Sequence, residues 1–151
     1  MIKRQIDFVE SIEEIGIEVW NKLAGTGNPF TRYEFLHALE SSGSTTAATG
    51  WQPFHVLVTE SDTEIKIYDQ PIAVMPLYLK SNSWGEYVFD WSWAEAYARH
   101  GIDYYPKFVT SIPFTPSRGN RILTQKGIDH TSVARFIYEK LRAVSYTHLT
   151  L

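Results

Sequence analysis

The sequence predicts an α/β (α+β) domain in which helices flank a mixed, mostly antiparallel sheet. Two amphipathic segments near the N-terminus precede a run of apolar, β-branched segments, and another amphipathic segment follows late in the chain. The resulting order, β-α-α-β-β-β-α-β-α, is typical of layered domains that combine helices with a sheet. A length of 151 residues fits one such domain with a substantial core.

The first third of the chain predicts one strand and two helices. Residues 2–8 alternate loosely and favour a strand. The Ser-Ile-Glu-Glu sequence at 11–14 is a capping box, and apolar residues at helical spacing continue from it to Leu23. A second capping box at 31–34 opens another helix, which we expect to end near Gly43.

The next forty residues read as strands. Residues 54–60 are rich in apolar and β-branched side chains, and 61–69 form a polar connection. Residues 72–80 are apolar on both faces, which indicates a strand that is covered on both sides. Pro76 within it predicts a bulge or an edge position, because proline cannot donate to the ladder. Residues 87–91 predict a further strand.

The remaining pattern alternates between helix and strand. Ser-Trp-Ala-Glu at 92–95 is a third capping box, opening a short helix that Gly101 ends. Strands are then expected at 107–114 and, as a short extended piece, at 121–124.

The chain ends in an amphipathic pattern followed by an unusual tail. Apolar spacing from Ser132 predicts a helix capped by Asp129 or Thr131. Residues 145–151 break this pattern, and their sequence resembles an artefactual ending of proteins translated from fragmentary sequence data. We therefore expect a non-native tail there, after a domain of residues 1–144 that belongs to a longer chain.

Composition excludes several classes of protein. The absence of cysteine removes disulfides and thiolate chemistry. A net charge of −3 with scattered basic residues argues against DNA binding. No apolar run approaches the roughly 20 residues that span a bilayer, and the N-terminus lacks a secretory pattern. The sequence thus predicts a cytoplasmic protein with no membrane span and no DNA partner.

Known nucleophile, phosphate and metal patterns are also missing from the sequence. The five histidines lack the spacing of a metal site, no serine lies in a nucleophile elbow, and no P-loop or dinucleotide loop occurs. Hydrolase, metalloenzyme and NTPase functions are therefore disfavoured, and no metal is expected.

Several motifs, in order, carry a resemblance to a known family. They are Thr49-Gly50-Trp51-Gln52-Pro53, Met75-Pro76-Leu77-Tyr78-Leu79-Lys80, Gly85-Glu86-Tyr87-Val88-Phe89-Asp90-Trp91, Trp93-Ala94, Ala96-Tyr97, Tyr104-Tyr105-Pro106-Lys107 and Pro113-Phe114-Thr115-Pro116. Over about residues 8–144 the chain resembles the FemAB-like, peptidoglycan biosynthesis/recognition branch of the GNAT N-acyltransferase superfamily. This resemblance implies a GNAT-like acyltransferase fold and, since members hold two such halves, a missing C-terminal half as partner.

The resemblance also implies an activity. A member would transfer an acyl or aminoacyl group to the amine of a small-molecule or peptide acceptor, and this half alone would be inactive. The donor is left open between acyl-CoA and aminoacyl-tRNA, with no metal. The alternative is a non-catalytic GNAT-like module that recognises a ligand or packs against another domain.

The loop at 115–121 is the candidate for binding a donor's phosphates. It contains Thr115, Arg118 and a single glycine, Gly119, where the GNAT loop has two small residues. It runs into an extended segment, and the next helix starts about ten residues later, although a pyrophosphate is best held at a helix N-terminus. A polar turn with solvated arginines is therefore favoured, while Thr115 and Arg118 stay substrate-binding candidates.

Asp90 is the candidate catalytic base. It lies between Phe89 and Trp91 at the end of a predicted strand, where indole rings would desolvate its carboxylate. The favoured alternative is that Asp90 accepts hydrogen bonds from backbone amides at the start of the following helix. The other candidate bases are Glu86, Glu95 and Asp103. Glu95 stands four residues before Arg99, so an ordinary helix-surface pair explains it, and Glu86 and Asp103 have no distinguishing context.

Nine aromatic residues lie within positions 84–108, which indicates a centre of packing or of binding. In this region Tyr104, Tyr105 and Lys107 are the strongest binding candidates. Pro106 favours an extended chain, so at least one tyrosine should face a groove, and Lys107 could meet a carboxylate or phosphate.

Trp93 and Tyr97 are further substrate-binding candidates. They stand four residues apart on one face of the predicted helix. For this pair, packing in the core is the favoured alternative to ligand contact.

Overall fold

Two antiparallel sheets and four α-helices make up the described part of the chain, residues 1–62, 64–65 and 67–148 of a computed structural model. In chain order the elements are β1 (Ile2–Val9), α1 (Ile17–Ala24), α2 (Tyr33–Ser41), β2 (Trp51–Pro53), β3 (His55–Asp62), β4 (Ile67–Met75), β5 (Tyr78–Lys80), α3 (Trp91–Arg99), β6 (Lys107–Val109), β7 (Leu123–Thr124) and α4 (His130–His148). The large sheet has the order β1-β3-β4-β7 and the small sheet the order β2-β5-β6.

The predicted α/β fold class is confirmed, but the sheet differs from the expected single mixed one. Every strand pair among the described residues is antiparallel, and the strand expected at 72–80 is two strands in two sheets. Strand β4 ends at Met75, and β5 begins at Tyr78 after Pro76. Proline lacks the N–H that a ladder requires, so the chain leaves the large sheet there.

A buried histidine completes the hydrogen bonds at this break. Phe54 N, between β2 and β3, donates to Leu77 O at 2.9 Å, and Leu77 N donates to His55 Nδ1 at 3.2 Å. His55 Nε2 lies 2.8 Å from a carboxylate oxygen of Glu40 in α2. Because Nδ1 accepts this hydrogen bond, it carries no proton. The ring proton is therefore on Nε2, and His55 is the neutral Nε2–H tautomer. The imidazole thus replaces the ladder acceptor that Leu77 loses.

Both faces of the large sheet are covered, which confirms the prediction for the part of the expected strand that lies in it, residues 72–75. On one face α1 and α2 pack with Val74 and Leu123, and on the other α4 places Val133 and Ile137 against β3 and β4. No helix in residues 1–62, 64–65 and 67–148 combines the length and the apolar character needed to cross a bilayer.

The two N-terminal capping boxes have different outcomes. The box at 11–14 is confirmed, but it opens only a 3₁₀ turn (Ile12–Glu14), because Gly16, with φ of 83°, separates this turn from α1. The prediction of a capping box at 31–34 is wrong. Arg32 caps α2 without a side-chain hydrogen bond, and the Glu34 carboxylate is bound by Arg32 and Asn21 instead.

The segment before α3 departs most from expectation. Residues 87–90 form no strand, and the side chains of Tyr87, Val88 and Phe89 are exposed without a covering layer. Helix α3 begins at Trp91 with Asp90 as its N-cap, so the capping box at 92–95 is wrong. The strand expected at 107–114 is limited to β6 (Lys107–Val109).

The last helix is longer than the sequence suggests. The Asp129 carboxylate accepts hydrogen bonds from Thr131 N and Ser132 N, both at 3.2 Å, which confirms it as the cap. Helix α4 continues through residues 145–148, so these residues do not break the helical pattern. Residues 149–151 lie outside the described residues, and a non-native tail remains a prediction.

Docking of α4 should account for a measurable part of the stability. Ile137→Ala should lower the free energy of unfolding by about 2–4 kcal/mol, because it leaves a cavity under a buried side chain. Tyr138→Ala, one position along on the exposed face, is the control and should change it by less than about 0.5 kcal/mol. Urea unfolding measures both, and equal losses would contradict this packing.

Candidate binding and catalytic site

One face of the small sheet carries an indole ring and two ammonium groups in a row. Trp51 in β2 is paired with Lys80 in β5, and Lys80 with Lys107 in β6. Residues directly opposite each other in antiparallel strands project to the same face. The three side chains are therefore neighbours, although they are distant in sequence.

Lys80, at the centre of this row, is fully buried. Its side chain has 0% exposure, Nζ donates to Trp84 O at 2.8 Å, and Nζ lies 3.6 Å from the centroid of the Trp51 ring. Burial lowers the pKa of Lys80 from 10.5 to about 8. No carboxylate among the described residues forms an ion pair with Nζ.

The Trp84 carbonyl fixes the start of the aromatic segment, which we define as residues 84–97. This carbonyl accepts from Lys80 Nζ and from Trp51 Nε1, each at 2.8 Å. Gly85 follows with φ of 79°, and a Cβ there would lie 2.5 Å from the Phe114 ring. Phe114 N also donates to Gly85 O at 3.1 Å, so the chain entering Glu86 has little freedom.

A cluster of four charged or hydroxyl side chains lies beside this segment. Lys107 Nζ donates to Glu86 Oε2 at 3.2 Å and to the Asp90 carboxylate at short range, and Tyr104 OH donates to Asp90 Oδ2 at 2.8 Å. The second oxygen of Glu86, Oε1, is buried and has no hydrogen-bond partner among the described residues. Asp90 thus accepts both of its hydrogen bonds at Oδ2, and Glu86 keeps a buried acceptor that is free among the described residues.

The pKa shifts of the cluster follow from these contacts. The hydrogen bond from Lys107 lowers the pKa of Asp90. Burial alone would lower the pKa of Lys107, but its hydrogen bond to Asp90 and the charge of Glu86 outweigh it and raise that pKa. Burial, followed by the hydrogen bond to Asp90, raises the pKa of Tyr104. Asp90 is consequently a weaker base than an ordinary aspartate.

This geometry changes both interpretations of Asp90. Its carboxylate forms no side-chain cap at α3, so the expected bonding to backbone amides is wrong. Lys107, rather than desolvation by indoles, dominates the environment of the carboxylate. The interaction of Glu95 with Arg99, by contrast, is an ordinary pair one helical turn apart at 2.5 Å.

The structure brings together six of the eight predicted site residues: Asp90, Tyr97, Tyr104, Tyr105 and Lys107, with Trp93 beside Tyr97. The rings of Tyr97 and Tyr104 lie 5.1 Å apart and those of Tyr104 and Tyr105 5.0 Å apart, with Lys107 Nζ 5.2 and 5.7 Å from the Tyr104 and Tyr105 rings. Trp93 lies next to Tyr97 in a hollow of about 230 Å³. The prediction that Trp93 and Tyr97 pack in the core is wrong, since the two residues are 64% and 40% exposed.

The other two predicted residues, Thr115 and Arg118, line a cleft with Glu86. This acceptor cleft, as we name it, has a volume of about 600 Å³ and is lined by Glu86, Tyr87, Val88, Val109, Ser111, Ile112, Thr115, Pro116, Ser117, Arg118 and Arg121. The Arg121 guanidinium is bound to the carbonyls of Ser117 (2.5 Å) and Gly119 (3.2 Å), and burial lowers its pKa. Arg118 is exposed.

The loop at 115–121 is a turn, as the polar-turn interpretation expects, but of its two arginines Arg118 is exposed and Arg121 is half-buried and bound to backbone carbonyls. It contains no helix, leads to β7 (Leu123–Thr124), and is separated from α4, which begins at His130. No helix N-terminus therefore follows the loop directly, as a pyrophosphate site of the GNAT type would require.

Sequence reasoning missed Lys80, and it considered Glu86 as a candidate base without finding any context that favoured it. Lys80 ends a strand that otherwise reads as apolar, and a lone lysine there is an available but weak signal of a buried charge. Glu86 follows Gly85 in the aromatic segment. Its contact with Lys107 becomes evident only from the structure, in which Lys80 holds the preceding Trp84 carbonyl. Among the described residues, no three carboxylate or imidazole groups could together hold a metal ion.

The buried charge of Lys80 should appear in the pH dependence of stability. Because its pKa is lowered from 10.5 to about 8, Lys80 takes up a proton on unfolding between these pH values, and the contribution of Lys80 to stability rises there with pH. We expect a rise of roughly 1–3 kcal/mol that Lys80→Met abolishes. Lys126→Met, which removes an exposed lysine, should retain the rise. Urea unfolding from pH 7 to 10.5 tests this, and parallel curves for both variants would contradict it.

Comparison with known proteins assigns the family. The sequence model of the FemAB-like family, described as peptidoglycan biosynthesis/recognition, matches residues 11–149. No curated protein matches the chain, and no solved structure does. The match covers most of the 151 residues, including the small sheet, the aromatic segment and the acceptor cleft. The chain therefore belongs to the FemAB-like family of peptidoglycan biosynthesis/recognition proteins.

Proposed function

We propose that the chain is the N-terminal half of a GNAT-type N-acyltransferase that transfers an acyl or aminoacyl group to an amine. The observation that carries this proposal is the acceptor cleft, where Glu86 and Arg118 lie in one hollow of about 600 Å³. Membership of the FemAB-like family supports an acceptor related to peptidoglycan. The donor is an acyl-CoA or an aminoacyl-tRNA.

The cleft contains charges of both signs, which suits a peptide acceptor. Glu86 Oε1 is a buried acceptor with no partner among the described residues, and the ammonium or amine of a ligand would satisfy it. Arg118, exposed on the same cleft, can bind a carboxylate of that ligand. Such a pair of contacts would orient an amino-acid or peptide group within the cleft.

The chemistry assigned to Glu86 is general-base catalysis. The nitrogen of the neutral amine attacks the carbonyl carbon of the donor, and its proton passes to Glu86. The bond from the carbonyl carbon to the sulfur or oxygen of the leaving group then breaks, and the leaving group takes the electron pair and that proton, which restores the carboxylate. Lys107 holds Glu86 through Oε2, and Asp90 and Tyr104 in turn hold Lys107 in place. Asp90 is therefore a positioning residue in this mechanism.

The aromatic candidates are assigned to binding at the edge of the site. Tyr104 and Tyr105 pack beside Lys107, and Trp93 and Tyr97 are exposed on α3. Exposed aromatic rings of this kind suit a surface that a ligand or the C-terminal half covers. Thr115 also lines the acceptor cleft, and its hydroxyl donates to Pro113 O at 3.0 Å.

A second candidate function is a non-catalytic module that recognises a ligand or packs against another domain. Two observations favour it: Lys107 lowers the pKa of the candidate base Asp90, and no helix N-terminus follows the loop at 115–121. In this case the acceptor cleft would bind a peptide without turnover.

Turnover by charge-neutral variants distinguishes the two functions. In the full-length protein, assayed with acetyl-CoA or alanyl-tRNA and a lysine-containing peptide, Glu86→Gln should lower the rate by roughly 100-fold or more, because the base is lost. Lys107→Met should also lower it. Glu95→Gln, which removes an exposed carboxylate of α3, is the matched control and should leave the rate unchanged.

Mass spectrometry of the peptide product measures these rates, and thermal melting checks that each variant is folded. Unchanged turnover in Glu86→Gln would contradict the catalytic assignment. Saturable peptide binding with no product from either donor would favour the recognition module.

A further inference from the structure

A separate cleft of about 380 Å³ lies between the start of the chain's first 3₁₀ turn, the end of α2 and the loop before β2. Its lining is formed by Glu10, Ser11, Glu13, His37, Glu40, Ser41, Thr45, Thr46 and Pro53. It shares no lining residue with the acceptor cleft. Among these residues the carboxylates of Glu10, Glu13 and Glu40 make its lining predominantly acidic.

Glu40 is the most tightly held of these carboxylates. Its oxygens accept from His55 Nε2 at 2.8 Å, from Ser11 Oγ at 2.9 Å, and from Ile12 N at 3.1 and 3.2 Å, and its side chain is only 11% exposed. Burial would raise the pKa of Glu40, but the hydrogen bonds from His55, Ser11 and Ile12 outweigh burial and lower it. Glu40 is thus an anion at neutral pH.

No cation of the described residues balances this anion. His55 is neutral, because its Nδ1 accepts the hydrogen bond from Leu77 N. No lysine or arginine in the described ranges forms an ion pair with Glu40, and Glu13 pairs at 2.7 Å with His37 at the rim. The negative charge also acts on the nearby Tyr33 hydroxyl, whose pKa is raised by burial and then by the charges of Glu13 and Glu40. An isolated buried anion is unfavourable without a counter-charge.

An unsatisfied hydroxyl lies on the same cleft. Thr45 is 2% exposed, and its Oγ1 is buried without a hydrogen-bond partner in the described part of the chain. Nearly all buried polar groups have a partner, so an unpaired hydroxyl on the wall of a cleft points to a group that the cleft takes up.

We propose that this cleft binds a primary alkylammonium group. An ammonium has three donors, which match the remaining acceptor positions of Glu40 and the hydroxyl of Thr45, and its charge compensates that of Glu40. A volume of about 380 Å³ accommodates the butyl chain of a lysine-like ligand. A metal ion is the wrong ligand, since no group of three suitable side chains occurs in the described residues.

This site is independent of the proposed transferase function, because no residue is shared between the two clefts. The ammonium could belong to a free diamine or to a lysyl side chain. Cadaverine and N-acetyl-lysine amide are the probes that distinguish these two sources, and the tighter of the two identifies the class of ligand.

The test is an NMR titration of the 151-residue chain with n-pentylammonium chloride and, as the uncharged control, 1-pentanol. Pentylammonium should shift the amide signals of Glu40 and Thr45 saturably, and 1-pentanol should not. Glu40→Gln should weaken binding by roughly tenfold or more, since a charge-assisted hydrogen bond is lost. Glu139→Gln, an exposed carboxylate on α4, should leave the affinity unchanged.

Thr45→Val separates binding from folding. Its hydroxyl has no partner to lose, so this variant should keep or raise the melting temperature while weakening binding about threefold or more. Equal binding of 1-pentanol would show an apolar hollow and overturn the proposal. So would an affinity for pentylammonium that neither Thr45→Val nor a folded Glu40→Gln reduces.

Discussion

The hydrogen bond from Leu77 N to His55 Nδ1 allows one strand pair to continue as two sheets. At this point β4 ends, Pro76 has no N–H to donate, and Leu77 N would be left buried without its ladder acceptor. An unpaired buried N–H is unfavourable by about 1–3 kcal/mol. The imidazole of His55 accepts it instead, and Glu40 fixes the ring from the other side. The small sheet can therefore diverge from the large one.

Divergence of the sheets gives the small sheet a face of its own. On it Trp51, Lys80 and Lys107 form a row, and the first two hold the Trp84 carbonyl. That carbonyl places Glu86 against Lys107, which also holds Asp90. A buried lysine without an ion pair is unfavourable in itself, as its lowered pKa indicates. In this position the ammonium of Lys80 binds the Trp84 carbonyl at the start of the aromatic segment. Glu40, which contacts His55 at Nε2, is likewise a charged side chain that is mostly buried.

Local patterns predicted much of the fold, and long-range contacts account for what they missed. The capping box at 11–14, the Asp129 cap and the doubly covered strand β4 depend on neighbouring residues, and the structure contains all three. Pro76 marked an irregularity, but the change of sheet depends on His55, 22 residues away from Leu77. Such a contact has no signature in local periodicity.

The candidate site shows the same division. Tyr104, Tyr105 and Lys107 are adjacent in sequence, so their proximity was predictable, whereas the pairing of Lys107 with Glu86 spans 21 residues. Helical spacing of Trp93 and Tyr97 defines a common face but does not show whether that face is covered. Tertiary structure left it exposed.

The tautomer of His55 tests this account most directly. Long-range ¹H–¹⁵N correlation NMR on the uniformly ¹⁵N-labelled chain, with His55→Gln for assignment, distinguishes protonated from unprotonated ring nitrogens. At pH 7 the account predicts a proton on Nε2 and an unprotonated Nδ1, as the hydrogen bonds to Glu40 and from Leu77 require. A proton on Nδ1, alone or together with one on Nε2, would contradict both the junction between the sheets and the uncompensated charge of Glu40.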